Sequence, residues 1–165
     1  MVRELLFRGR DKDIGDWRYG GVCDYDSGVS IFEVEHFDGS WTEPPSTDLN
    51  EYDVEPETVG QFTGLTDMKN QKIFEGDILK AEINTQPKWN SDLKNYEPQK
   101  RTRTYWVVEY HDHETESGFM TYGIDRRWHR PLTRSRIINA HAVVVGNIHD
   151  NPELMKKELQ KICTM

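Results

Sequence analysis

The sequence predicts a mainly β protein of the α+β class. An N-terminal β subdomain with an acidic linker is expected over residues 1–57, and a small C-terminal β-barrel of SH3-like character over 58–165, ending in a helix over 151–162. Three observations carry this expectation. Short runs rich in β-branched and aromatic residues recur between clusters of turn formers. A Pro-, Ser- and acid-rich stretch separates two groups of such runs. A helical spacing of apolar residues marks the end of the chain. At 165 residues, the chain can bury enough apolar surface to fold without disulfides or metals.

Residues 3–8 and 17–25 read as a hairpin, with Leu5, Phe7, Trp17 and Tyr19 as apolar anchors and the polar stretch Gly9–Asp16 as its connection. Val29–Val34 has the composition of a third strand after the turn cluster Asp24–Gly28. From Phe37 to Glu57 the chain carries Pro44, Pro45, Asp48, Glu51, Asp53 and Glu55, which suits a surface loop and marks the subdomain boundary. Ile73–Ile83 reads as a strand entered through a tight turn at Gly76-Asp77. The hydrophilic stretch Asn84–Arg103, with Pro87, Pro98 and Trp89, reads as a long loop. Tyr105–Tyr110 and Gly118–Ile124 alternate as a second hairpin, and the sheet continues at Ala142–Val145. In the terminal helix Asn151 suits the N-cap, Pro152 the first turn and Glu153 the positive end of the dipole. Met155, Leu159 and Ile162 then make an apolar stripe.

Net charge is −8 with a pI near 5.2, so the average surface repels phosphate and disfavours general nucleic-acid binding. The charge is uneven. Residues 99–141 hold eight Lys/Arg against five acids, a weakly basic zone in an acidic protein. Cys23 and Cys163 lack metal or redox spacing and read as free thiols. No apolar run approaches the ~20 residues that cross a bilayer, and the N-terminus lacks a signal-peptide h-region, so a soluble cytoplasmic protein without membrane partners is expected.

Two stretches carry most of the identifying signal: Glu55–Asp67, which contains Gly60-Gln-Phe-Thr-Gly64, running on into Lys72-Ile-Phe-Glu-Gly-Asp-Ile-Leu79, and Val143-Val-Val-Gly-Asn-Ile-His-Asp-Asn-Pro-Glu-Leu-Met155. With the opening Arg3–Arg10 and Trp17-Arg-Tyr-Gly20, they resemble the YopX family of phage and prophage proteins over nearly the whole chain. The family has no established activity. The resemblance implies a phage-encoded accessory protein in the host cytoplasm, acting as a homo-oligomer and meeting a host or phage protein that the sequence does not identify. Where the family has a "DKNG" turn, this chain reads Asp67-Met-Lys-Asn70 followed by Gln71.

The family-motif residues Gly60, Gly64, Gly76, Asp77, Gly146, Asn147, Asn151 and Pro152 read as structural. Glycines beside turn residues, Gly123 among them, are expected at positive φ, and none fits a phosphate-cradling motif, so no cofactor is expected. Arg126, Arg127, Trp128 and Arg130, with Arg134 and Arg136, place an aromatic ring among guanidiniums, the combination that single-stranded nucleic-acid sites use. The competing readings are a solvated loop or a subunit contact. His111 and His113 would share one face of a strand, but a metal needs a third ligand from His129, His141, His149 or a carboxylate. With no catalytic signature in the sequence, the expectation is a non-catalytic binding or assembly protein and not an enzyme. The alternatives are a nucleic-acid-associated regulator using the Arg126–Arg136 segment and a metal-dependent hydrolase.

Overall fold

A computed structural model describes residues 4–26, 28–34, 49–84, 87–114, 117–123 and 128–156 of the chain. The protein is mainly β, with twelve strands and two short helices among those residues. It forms two compact units, Met1–Gly64 and Leu65–Met165.

In the first unit β1 (Phe7–Asp11), β2 (Trp17–Tyr25), β3 (Gly28–Val34) and β4 (Leu49–Thr66) are antiparallel neighbours in that order, and β1 also pairs with β4, completing an uneven ring. β1 starts later than the expected 3–8, and Leu5 is 71% exposed instead of anchoring the hairpin. A β-bulge between Arg8 and Arg10 skews the β1–β4 ladder, and there the Arg10 N–H turns to Thr58 Oγ1 at 2.8 Å. Ile31 and Val54 are fully buried. The Asp11 carboxylate accepts the N–H groups of Asp13 and Ile14 and Arg18 Nε. Those bonds, that of Asp13 foremost, hold its pKa below the usual carboxylate range.

Most of the acidic stretch expected as linker and loop falls outside the described residues, but from Leu49 onward it is strand β4. Strand pairing outweighed composition here: Asn50, Glu51, Tyr52 and Asp53 face β3 partners one for one.

In the second unit β4 ends and β5 (Lys72–Phe74) is its neighbour. β6 (Asp77–Asn84), β9 (Arg101–Asp112), β10 (Ser117–Gly123), β11 (His129–Pro131) and β12 (Val143–Asn147) make an antiparallel sheet of order β11-β10-β9-β6-β12. Among the described residues, this sheet does not return on itself, so the one ring of pairings belongs to the first unit. The expected loop Asn84–Arg103 contains a small hairpin, β7 (Trp89–Asn90) with β8 (Asn95–Tyr96).

Helix α1 (Arg134–Asn139) was not expected. Thr133 caps it, accepting the Arg136 N–H, and Ile137 is its buried residue. Residues 152–156 form helix α2, and the remainder of the expected 151–162 helix, with Leu159, Ile162 and Cys163, lies outside the described residues. The core gathers Ile73, Leu79, Trp106, Val108, Leu132 and Ile137 between sheet and α1.

The signature residues of this unit fasten one another. Asp67 Oδ1 accepts the N–H groups of Lys69 and Gln71, while Oδ2 accepts that of Val144 in β12 at 2.9 Å. Asn70 supplies the left-handed residue of this turn, at φ 65. The Gly76 carbonyl accepts the Ile148 N–H, and Asp77 Oδ2 accepts that of Phe74. Asn147 Oδ1 accepts the N–H groups of His149 and Asp150, and Asn151 Oδ1 accepts that of Asn147. Gly64 and Gly76 take positive φ (80 and 81), whereas Gly60 and Gly123 do not; both are buried strand residues, and at Gly123 a Cβ would meet the Trp128 ring. At Gly146, a Cβ would lie 2.0 Å from Asn151 Oδ1.

Asp67→Ala removes three hydrogen bonds to one buried carboxylate. It is expected to cost about 3 kcal/mol in urea unfolding, with Asp67→Asn intermediate because an amide NH2 must then face an N–H donor.

Candidate functional site

Charge divides between the two units. Residues 1–64 carry 5 Lys/Arg against 15 Asp/Glu, a net of −10, and residues 65–165 carry 16 against 14, a net of +2. The acidity that disfavours anionic ligands therefore belongs to the first unit.

In the second unit a cleft of about 850 Å³ opens beside α1, a size typical of ligand sites. Glu82–Asn84 at the end of β6 and Arg101 on β9 form one side, and Arg130, Pro131, Thr133 and α1 the other. Trp106 lines it too. Its side chain is 1% exposed, and its indole N–H meets no acceptor among the described residues.

Arg136 is the central charge. One turn into α1 its side chain reaches back over the sheet, with Cζ 4.2 Å from the Trp106 ring centroid and 5.4 Å from that of Trp128. The two indoles meet edge to face at 6.3 Å. Arg136 Nε donates to Thr121 Oγ1 at 3.1 Å, and the Thr121 hydroxyl in turn donates to the Arg130 carbonyl. No carboxylate pairs with this half-buried guanidinium among the described residues. Burial, followed by the like charge of Arg130, pushes its pKa down. Arg101 differs: its Nε lies 3.0 Å from Glu82 Oε2, and its Nη2 meets His141 Nδ1. His141 follows the helix in the left-handed conformation, at φ 45.

Of the basic segment read from sequence, Trp128 and Arg130 reach this cleft region, while Arg126 and Arg127 lie outside the described residues. Trp106, Thr121 and Arg101 are not marked as site residues by the sequence, and His141 is marked there only as a possible metal ligand, a role the cleft does not give it. Trp106 lay unremarked in an alternating strand, and the Thr133 cap was the available signal for the helix that brings Arg136 across it.

The histidines form a separate patch. His111 stacks on His113 and on His129, with centroids 5.8 and 5.6 Å apart, and Tyr122 Oη lies 2.9 Å from His111 Nδ1. Nearly parallel planes, at 13° and 26°, set ring faces together instead of aiming nitrogens at one point. Among the described residues, no three His, Cys, Asp or Glu are placed to hold a metal.

Gly123→Ala tests the indole arrangement, since its Cβ would lie 2.7 Å from the Trp128 ring. The substitution is expected to displace Trp128 from Trp106, alter near-UV circular dichroism and cost about 1–3 kcal/mol.

No described helix is long and apolar enough to cross a membrane. No curated protein matches the sequence. The structure is similar to the crystal structure of protein EF1440 from Enterococcus faecalis, at 21% identity and a TM-score of 0.50, covering 93% of this chain and 99% of that one. That likeness shows a shared fold. A family model, described as YopX protein, matches residues 6–156. With its signature stretches interlocked as above and the match spanning most of its length, this chain belongs to the YopX family.

Proposed function

We propose that this protein is a non-catalytic binding protein whose ligand is anionic, recognised in the cleft beside α1. The observation that supports this most is Arg136: a guanidinium held against two indoles and oriented by Thr121, half-buried without a carboxylate among the described residues. Burying a charge without its counterion is costly. Such a group is retained where a ligand supplies the missing charge. Nη1 and Nη2 make no hydrogen bond among the described residues, leaving the bidentate edge that matches an oxyanion.

A binding role fits the chemistry better than catalysis does. Arginine and indole N–H groups stay protonated at neutral pH and serve as fixed donors, not as proton-transfer groups. Resemblance to phage-encoded proteins extends the reading to an accessory protein of the bacterial cytoplasm.

The test uses inorganic pyrophosphate and isothermal titration calorimetry on the full chain. Binding is expected to weaken with added salt and to fall at least 30-fold in Arg136→Met, whose unfolding free energy stays within about 1 kcal/mol of the parent because the methionine retains the ring contact. Unchanged pyrophosphate affinity in the folded variant would refute the reading.

Assembly into a homo-oligomer belongs to the same proposal, through α2, where Leu154 and Met155 are only partly buried. Light scattering at tens of micromolar is expected to show an oligomer that Met155→Asp dissociates; a monomer in both forms rejects it.

A further inference from the structure

Resting on that reading, we infer that the anionic ligand is a single-stranded nucleic acid, its phosphates lodged in the cleft and its bases stacked on the β7–β8 hairpin. The hairpin lies in the chain between two cleft-lining residues. Asn84 ends β6 and Arg101 begins β9, the two are register partners, and both line the cleft. The insertion that carries the hairpin is thus bounded by a single rung of the sheet on the cleft's rim.

What this insertion presents is aromatic and uncovered. Trp89 is 55% exposed and Tyr96 61%; the rings pair across the hairpin with centroids 5.2 Å apart at 76°. The edge-to-face pair steadies the open end of this short hairpin, yet more than half of each residue's surface is left to solvent. Flat rings that accept any base, on an insertion rooted at the rim of a cleft whose guanidiniums accept phosphate, supply the two components of sequence-tolerant single-strand binding. A folded duplex keeps its base faces stacked and would leave these rings without a partner. The second unit, which carries the cleft, has a net charge of +2 and does not itself repel phosphate.

The cleft supplies few phosphate contacts. Arg136 and Arg130 lack carboxylate partners among the described residues, and Arg101 shares its charge with Glu82. Two to three neutralised phosphates correspond to a salt slope of about −1.4 to −2.1 for a single strand.

Fluorescence anisotropy with labelled 12-mers of oligothymidylate, oligouridylate and a 12-bp duplex, run beside the pyrophosphate titration, tests this on the full chain. Either single strand is expected to bind at least 10-fold tighter than both duplex and pyrophosphate. The tighter of the two homopolymers identifies DNA or RNA as the source. Trp89→Ala is expected to weaken single-strand binding 5- to 50-fold, Trp89→Phe to restore most of it, and neither to change pyrophosphate affinity. Pyrophosphate binding without tighter single-strand binding, duplex binding equal to single-strand binding, or a neutral Trp89→Ala would overturn the inference and leave the anion cleft standing. Loss of binding to every probe overturns both.

Discussion

A single buried carboxylate sets the frame of the second unit. Asp67 stands after the last residue of β4, where its Oδ1 closes the turn toward β5 and its Oδ2 holds Val144 of β12. Gly76 reinforces the same connection through Ile148. Strand β12 is therefore fixed from two directions, by its ladder with β6 and by the turn. Between β11 and β12 the chain has room for little besides α1, whose C-terminal end is held by bonds from Glu82 to Ala140 and from Ala142 to Ile137. The position of Arg136 over Trp106 depends on that framework, because α1 is too short to be stable unless docked.

The cleft shows why buried aromatic residues and charged groups occur together here. Trp106 belongs to the core cluster on one side and lines the cleft on the other. An indole so placed is rigid. It gives the guanidinium a flat support with little loss of conformational freedom, while Thr121, fully buried, fixes rotation about the chain. The result is a cation whose orientation the protein itself fixes.

Much of this fold was legible in the sequence where local chemistry decided the outcome. Strands β2 and β3, the entry to β6, the β9–β10 hairpin and the start of α2 follow from β-branched runs, turn formers and the Asn151-Pro152 cap. The acidic residues 49–57 were misread because their composition suits water while their backbone pairs with β3. Helix α1 escaped notice because six residues carry too little periodicity, with one buried residue, Ile137, to reveal its face. The site was half visible. Trp128, Arg130 and Arg136 cluster in sequence, but Trp106, Thr121, Arg101 and His141 join them through sheet register and helix docking, which no linear spacing encodes.

The margins of the second unit's sheet bear on how the protein can meet copies of itself. At one margin β11 is three residues long and ends in Pro131, which has no amide hydrogen to offer. At the other, β12 kinks between Val144 and Gly146, and the Val144 amide is already engaged by a side chain. Neither margin is a good template for an incoming strand, which protects the unit from fibril-like growth. At these two margins, contact with a second copy would rest on side-chain surfaces and not on a shared ladder of backbone hydrogen bonds.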